Sequence, residues 1–216
     1  MQIIITILNY IDTAAPLVAL FFFIRPFKEL IMELRFIFWF LCVQVVTNGC
    51  ASIFDNFHII NYSIYAVNVF LSFGVLTALF YQLNIPLIRR IVPAASVIFV
   101  ICAAFSLVNG DGVQSYNSVV SALASFVITG YCLIFFYWRL VRDTRLVGLT
   151  GSSFFWVVIG LFTYYTGSFF IFISYKYLIA EEFDSVGVLW RFQNVLLTIF
   201  CIYTIYGLTW KNYRKT

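Results

Sequence analysis

From Phe154 to Tyr175 the chain runs for 22 residues without a charged side chain. A helix of about 20 apolar residues is what a bilayer core of about 30 Å requires. A soluble protein could hide such a segment only inside a large core, and this chain has 216 residues in all. Six further runs obey the same rule. The predicted spans are 5–24, 36–54, 60–82, 91–108, 118–138, 154–175 and 189–210. Composition agrees, with 63% hydrophobic and 10% charged residues, where soluble domains carry about 25% charge. The expected fold is an all-α integral membrane protein, a seven-transmembrane-helix bundle forming one domain over residues 1–216. The first run lacks a basic leader and an Ala-x-Ala-type site, so it is expected to stay as a helix. The fourth is expected to begin beside Pro93, where the first turn has no amide partner to lose.

The connections carry the orientation. Arg25, Lys28 and Arg35 follow span one, and Arg89 and Arg90 follow span three. Arg139, Arg142 and Arg145 follow span five, and Lys211, Arg214 and Lys215 follow span seven. Only Lys176 and Arg191 of the 13 Lys and Arg fall on the other side. Short loops rich in Lys and Arg stay cytoplasmic. The expected topology is therefore N-terminus outside and C-terminus cytoplasmic. Asp12, Asp55, Asp111, Glu181, Glu182, Asp184 and the lone His58 fall outside. Scattered into small loop clusters, the basic residues form no broad face for nucleic acid.

Polar residues recur at helical spacing in the outer halves of the spans. Asn9, Asp12 and Thr13 cluster in span one. Gln44, Asn48, Ser52 and Asp55 form a stripe in span two, and Asn61, Tyr65, Asn68 and Ser72 form one in span three. Asn117, Ser121 and Ser125 do so in span five, and Arg191, Asn194, Thr198 and Cys201 in span seven. Such side chains are costly in lipid and should turn inward. Five inward stripes at one depth would outline a polar cavity open to the outside. The candidate ligand-binding residues are Asp12, Gln44, Asn48, Asp55, Asn61, Tyr65, Asn68, Asn117, Arg191, Asn194 and Thr198. The competing role for each amide and hydroxyl is to cement two helices. Arg191 could snorkel to the headgroups, pair with Asp12 or Asp55, or capture an anionic ligand.

Asp55 and His58 are spaced i, i+3, which suits a metal or a proton transfer, or simply a polar helix end. With one histidine, no metal site is expected, and no cofactor or catalytic residue is implied. The five cysteines (Cys42, Cys50, Cys102, Cys132 and Cys201) form no CxxC pair and are expected to be small buried hydrophobes. On span six, Gly160, Tyr164, Gly167 and Ser168 share a small-residue face suited to close helix approach.

The seventh span has no inward lysine for retinal. Acid-Arg-Tyr in span three and Asn-Pro-x-x-Tyr in span seven, the marks of eukaryotic G-protein-coupled receptors, are absent. Phe155-Trp156, Gly160, Tyr164 and Gly167, followed by Trp190 and Asn194, resemble small seven-span membrane proteins of Bacteroidetes-type bacteria. The same residues resemble the membrane halves of some bacterial sensor proteins. The resemblance covers Phe154–Trp210. It implies a multi-pass protein of a bacterial inner membrane with a sensory association. The expected function is thus receptor-like, with an outward cavity and a separate cytoplasmic partner docking on Arg139, Arg142 and Arg145. Those arginines also serve as orientation signals and contacts for anionic lipid. A transporter or channel subunit, a lipid-modifying enzyme and a structural subunit of a larger assembly are the alternatives.

Overall fold

The computed structural model describes residues 2–24, 26–59, 61–109, 116–142, 152–180 and 186–209. Among them it has seven α-helices and no strand. These are α1 (Gln2–Ile24), α2 (Met32–Asn56), α3 (Tyr62–Gln82), α4 (Pro86–Asn109), α5 (Ser118–Arg142), α6 (Ser153–Ala180) and α7 (Val186–Thr209). The six from α2 to α7 are long and apolar enough to cross a membrane. In α1 the described side chains contribute a shorter apolar stretch, Ile11–Ile24. The chain is a multi-pass membrane protein in contact with lipid, since in hydrocarbon a helix satisfies its own backbone.

The helix ends follow local chemistry. Proline at the first position of α4 loses no bond there and presets φ. That helix thus begins earlier than the sequence suggests, and Pro93 lies inside it. There Pro93 offers no amide to the Arg89 carbonyl one turn back. Before α4 the chain reverses through Asn84, which adopts φ 55°. At the end of α2, His58 adopts φ 54°. Its amide bonds the Asp55 carbonyl at 3.0 Å, and the Ile59 amide bonds the Phe54 carbonyl at 2.9 Å. This is a Schellman cap with histidine in the left-handed position usually held by glycine. His58 is therefore a capping residue beyond the helix, not the partner of Asp55 on a shared helical face.

The helices close into a ring. α1 packs against both α2 and α7, α2 against α3, α3 against α5, α5 against α6, and α6 against α7. α4 packs against α3 and α5 and lies outside the ring. Its Val97, Ile98, Val100, Ile101 and Phe105 are each more than half exposed, a face suited to lipid. The tightest seam is α6 with α7. A Cβ on Gly160 would stand 2.9 Å from the Cβ of Tyr203, and one on Gly167 would run into the Leu196 side chain. A Cβ on Gly207 would lie 2.7 Å from the Ser153 carbonyl oxygen. Without a hydrophobic drive between helices in lipid, such close backbone approach supplies the dispersion contacts that hold them.

Candidate functional site

The ring encloses a cavity of about 450 Å³ at one end of the bundle. Its walls come from the C-terminal halves of α2 and α6 and the N-terminal halves of α1, α3, α5 and α7. Gln44 lies three turns below Asp55, so the cavity is about 16 Å deep at 1.5 Å per residue, roughly half a bilayer core. Arg35, Arg89, Arg90 and Arg139 stand at the opposite ends of their helices, and Lys28 lies in the α1–α2 turn at that same end.

Every ligand-binding candidate except Asn117 and Thr198 lines this cavity. Asp55, Asn61 and Arg191 stand in its outer part, and Asp12, Gln44, Asn48, Tyr65, Asn68 and Asn194 line it further in. Asn117 does other work. Its Oδ1 accepts the Val120 amide at 3.3 Å, capping α5, and its Nδ2 donates to Ser106 Oγ at 2.6 Å, tying α5 to α4. Thr198 turns its hydroxyl back onto the Asn194 carbonyl at 2.8 Å. In α7, Leu197 lines the cavity instead.

Several wall residues also join helices. Gln44 Nε2 donates to Asn68 Oδ1 at 3.0 Å and to Ser72 Oγ at 2.9 Å. Asn68 Nδ2 returns a bond to Gln44 Oε1 at 3.3 Å, and Ser72 Oγ donates to Asn68 Oδ1 at 2.8 Å. This closed network clasps α2 to α3. Asn48 Nδ2 donates to the Asp12 carbonyl at 3.0 Å, linking α2 to α1. Across the cavity, Gln193 Nε2 donates to Ser168 Oγ at 2.9 Å, while Ser168 donates to the Tyr164 carbonyl at 2.6 Å. For these amides, cementing helices and lining the cavity are one arrangement, because a polar wall needs its own groups satisfied.

Gln193, Ser168, Tyr116, Tyr164 and Trp190 line the cavity without having been singled out from the sequence as its ligand residues. For Gln193 a signal existed, since an amide deep in an apolar span seeks a partner. Tyr116 precedes its helix and carried none. Its hydroxyl donates to Ser121 Oγ at 3.0 Å, and burial pushes its phenol well above the ordinary range, so it serves as a neutral donor. Tyr65 stacks on Trp190 at 5.4 Å, and Tyr116 meets Trp190 edge-on at 5.0 Å. These rings join α3, the α5 entry and α7 into one rigid wall.

The cavity is blind. Phe73, Tyr165 and Leu197 form its deep end. Beneath them Phe40 packs against Phe200 at 5.5 Å and against Tyr165 at 6.4 Å. Leu41, Leu76, Phe80, Ile128 and Leu161 continue that plug, all fully buried.

Arg191 has no acid on its Nε. That nitrogen is buried without a hydrogen-bond partner among the described residues. The side chain folds back along α7, with Nη2 3.8 Å from where a Cβ on Gly187 would lie. Asp12 Oδ1 accepts the Thr13 hydroxyl at 3.2 Å instead. Among the described residues no three His, Cys, Asp or Glu side chains could hold a metal. At the other end, Arg139 rests 6.0 Å over the Phe135 ring. The side chain of Arg142, and Arg145 altogether, lie outside the described residues. No protein-family model, curated protein or solved structure matches the chain.

Proposed function

We propose that this chain is a receptor-like seven-span protein that binds a small polar ligand from outside the cell. In this reading α1 also crosses the membrane, the N-terminus is external and the C-terminus is cytoplasmic. The membrane is a bacterial inner membrane. A ligand-driven shift passes to a separate cytoplasmic partner at the basic end, near Arg139, Arg142 and Arg145. One observation carries the reading: a polar cavity of ligand size, about 450 Å³, ends on a packed aromatic plug. Small-molecule sites typically measure about 300–1,000 Å³ and are largely preformed. A blind site favours sensing over conduction. The basic ends of the helices, opposite the cavity, favour the outward-open orientation.

Ser72→Cys in a variant freed of the five native cysteines tests it. A membrane-impermeant thiol reagent added to intact cells should modify the introduced thiol at this deep position. Labelling from the cytoplasmic face alone, or from neither face, overturns the reading. Transport is the second reading, and a specific observation favours it. The Thr204 hydroxyl is buried beyond the plug without a hydrogen-bond partner among the described residues, and the Thr77 and Tyr131 hydroxyls are buried near each other there. Ligand accumulation in proteoliposomes by the purified protein would decide for transport.

A further inference from the structure

Three charged side chains meet the cavity, each from a different helix: Asp12 on α1, Asp55 on α2 and Arg191 on α7. They do not neutralise one another through Arg191 Nε, which is buried and unpartnered among the described residues. A buried guanidinium donor without an acceptor is an unmet demand, and it suits a planar carboxylate. The acids mark a second pole. Asp12, level with Asn48, and Asp55, two turns further out on α2, both line the cavity. Amides of Asn48 and Asn194 are also in the wall.

Charge bookkeeping narrows the occupant. A simple anion would satisfy Arg191 but face two carboxylates. A simple amine would satisfy the acids and leave the guanidinium bare. A neutral molecule would answer neither the buried Arg191 Nε nor the half-buried Asp12 carboxylate, and charge held out of water without a partner is costly. A ligand bearing both signs answers both. At the deep end Phe73 and Leu197 offer apolar surface beside Tyr165 and Ser72, which suits a hydrocarbon or aromatic side chain.

We propose that the cavity takes a small zwitterion of the α-amino-acid class, its carboxylate on Arg191 and its ammonium toward Asp12 and Asp55. The assignment rests on the ligand-binding reading above. The apolar end favours leucine-like or phenylalanine-like side chains over short polar ones.

Calorimetric titration of the full chain in nanodiscs, with the standard amino acids as probes, tests this. Each amino acid that binds is compared with its two single-charge analogues. For L-phenylalanine these are phenethylamine and 3-phenylpropionate, and for L-leucine 3-methylbutylamine and 4-methylpentanoate. The expected result is that the amino acid binds at least about tenfold more tightly than either analogue, a difference of about 1.4 kcal/mol. Arg191→Gln should bring amino-acid affinity down to that of the amine, and Arg191→Lys should leave an intermediate value. Asp12→Asn should bring it toward that of the carboxylate. The analogue series uses the unaltered protein, so it decides even where a variant folds poorly. An analogue that binds as tightly as its amino acid overturns the proposal. So does the absence of binding by every amino acid while the Ser72→Cys thiol still reacts from outside, and the ligand-binding reading then survives. Failure of that thiol to react overturns both.

Discussion

At Arg191 the difference between a charge and a charge pair becomes measurable. Its spacing with Asn194 carries the side chain into the cavity wall, where Nε has no partner among the described residues. Breaking a buried pair costs about 3–5 kcal/mol, but that cost requires a partner to strand. Arg191→Ala should therefore change the melting temperature in detergent little, by an equivalent of at most about 1 kcal/mol, while lowering amino-acid affinity to that of the matching amine. A large loss of stability would reveal a partner for the guanidinium. Gln44 is the opposite case, because it serves Asn68 and Ser72 together. Side-chain bonds between membrane helices are worth about 0.6 kcal/mol on average and at most about 1.7. Gln44→Met keeps the volume but strands the partners of the lost amide, and should cost about 1–3 kcal/mol in chemical denaturation. His58 holds φ 54° at the end of α2. A left-handed non-glycine residue costs about 1–2 kcal/mol, so His58→Gly should raise the melting temperature.

Among the elements, α6 and α7 offer the sharpest contrast between glycines that matter and glycines that do not. Gly160 and Gly167 stand one heptad apart, so their shared face is legible in the sequence. Which helix approaches that face is not legible; it proves to be α7, at Tyr203 and Leu196. Gly167→Leu should lose about 1–3 kcal/mol through overpacking. Gly130 on α5 is the control, with nothing within 4 Å of the place an added methyl would take. Gly130→Ala should be neutral or stabilise by about 0.5–1 kcal/mol, since alanine is the better helix former. Equal effects at the two sites would contradict the close α6–α7 seam. Gly207 carried no spacing signal, because its contact with Ser153 depends on how α7 is rotated.

For the whole molecule, the testable property is direction. Lys28, Arg35, Arg89, Arg90 and Arg139 gather at one end of the bundle, and the cavity opens at the other. A reporter fused after Thr216 should be cytoplasmic, and one placed at residues 110–112 should be external. A C-terminal tag accessible on intact cells would reverse the bundle, and with it the side from which the cavity takes its ligand. The ring itself depends on contacts between the first and last helices. Removing α1 should therefore leave α2 and α7 without a shared neighbour and open the cavity laterally.

The amino-acid sequence alone determined the all-helical membrane class and the positions of the long apolar helices. Each apolar run is a local property, answering to bilayer thickness and to the cost of an unsatisfied backbone in lipid. Most of the cavity was legible for a related reason: Gln44, Asn48, Tyr65 and Asn68 are too polar for lipid, so each must turn inward. Tertiary structure decided what that inward turn meets. It set Asn117 to cap α5 and bind Ser106, directed Thr198 onto its own backbone, and brought Gln193 to Ser168. It also left Arg191 Nε without an acid and put α4 outside the ring. These outcomes depend on the rotation and neighbours of each helix. Packing between segments distant in the chain sets both, and no spacing within a single span records them.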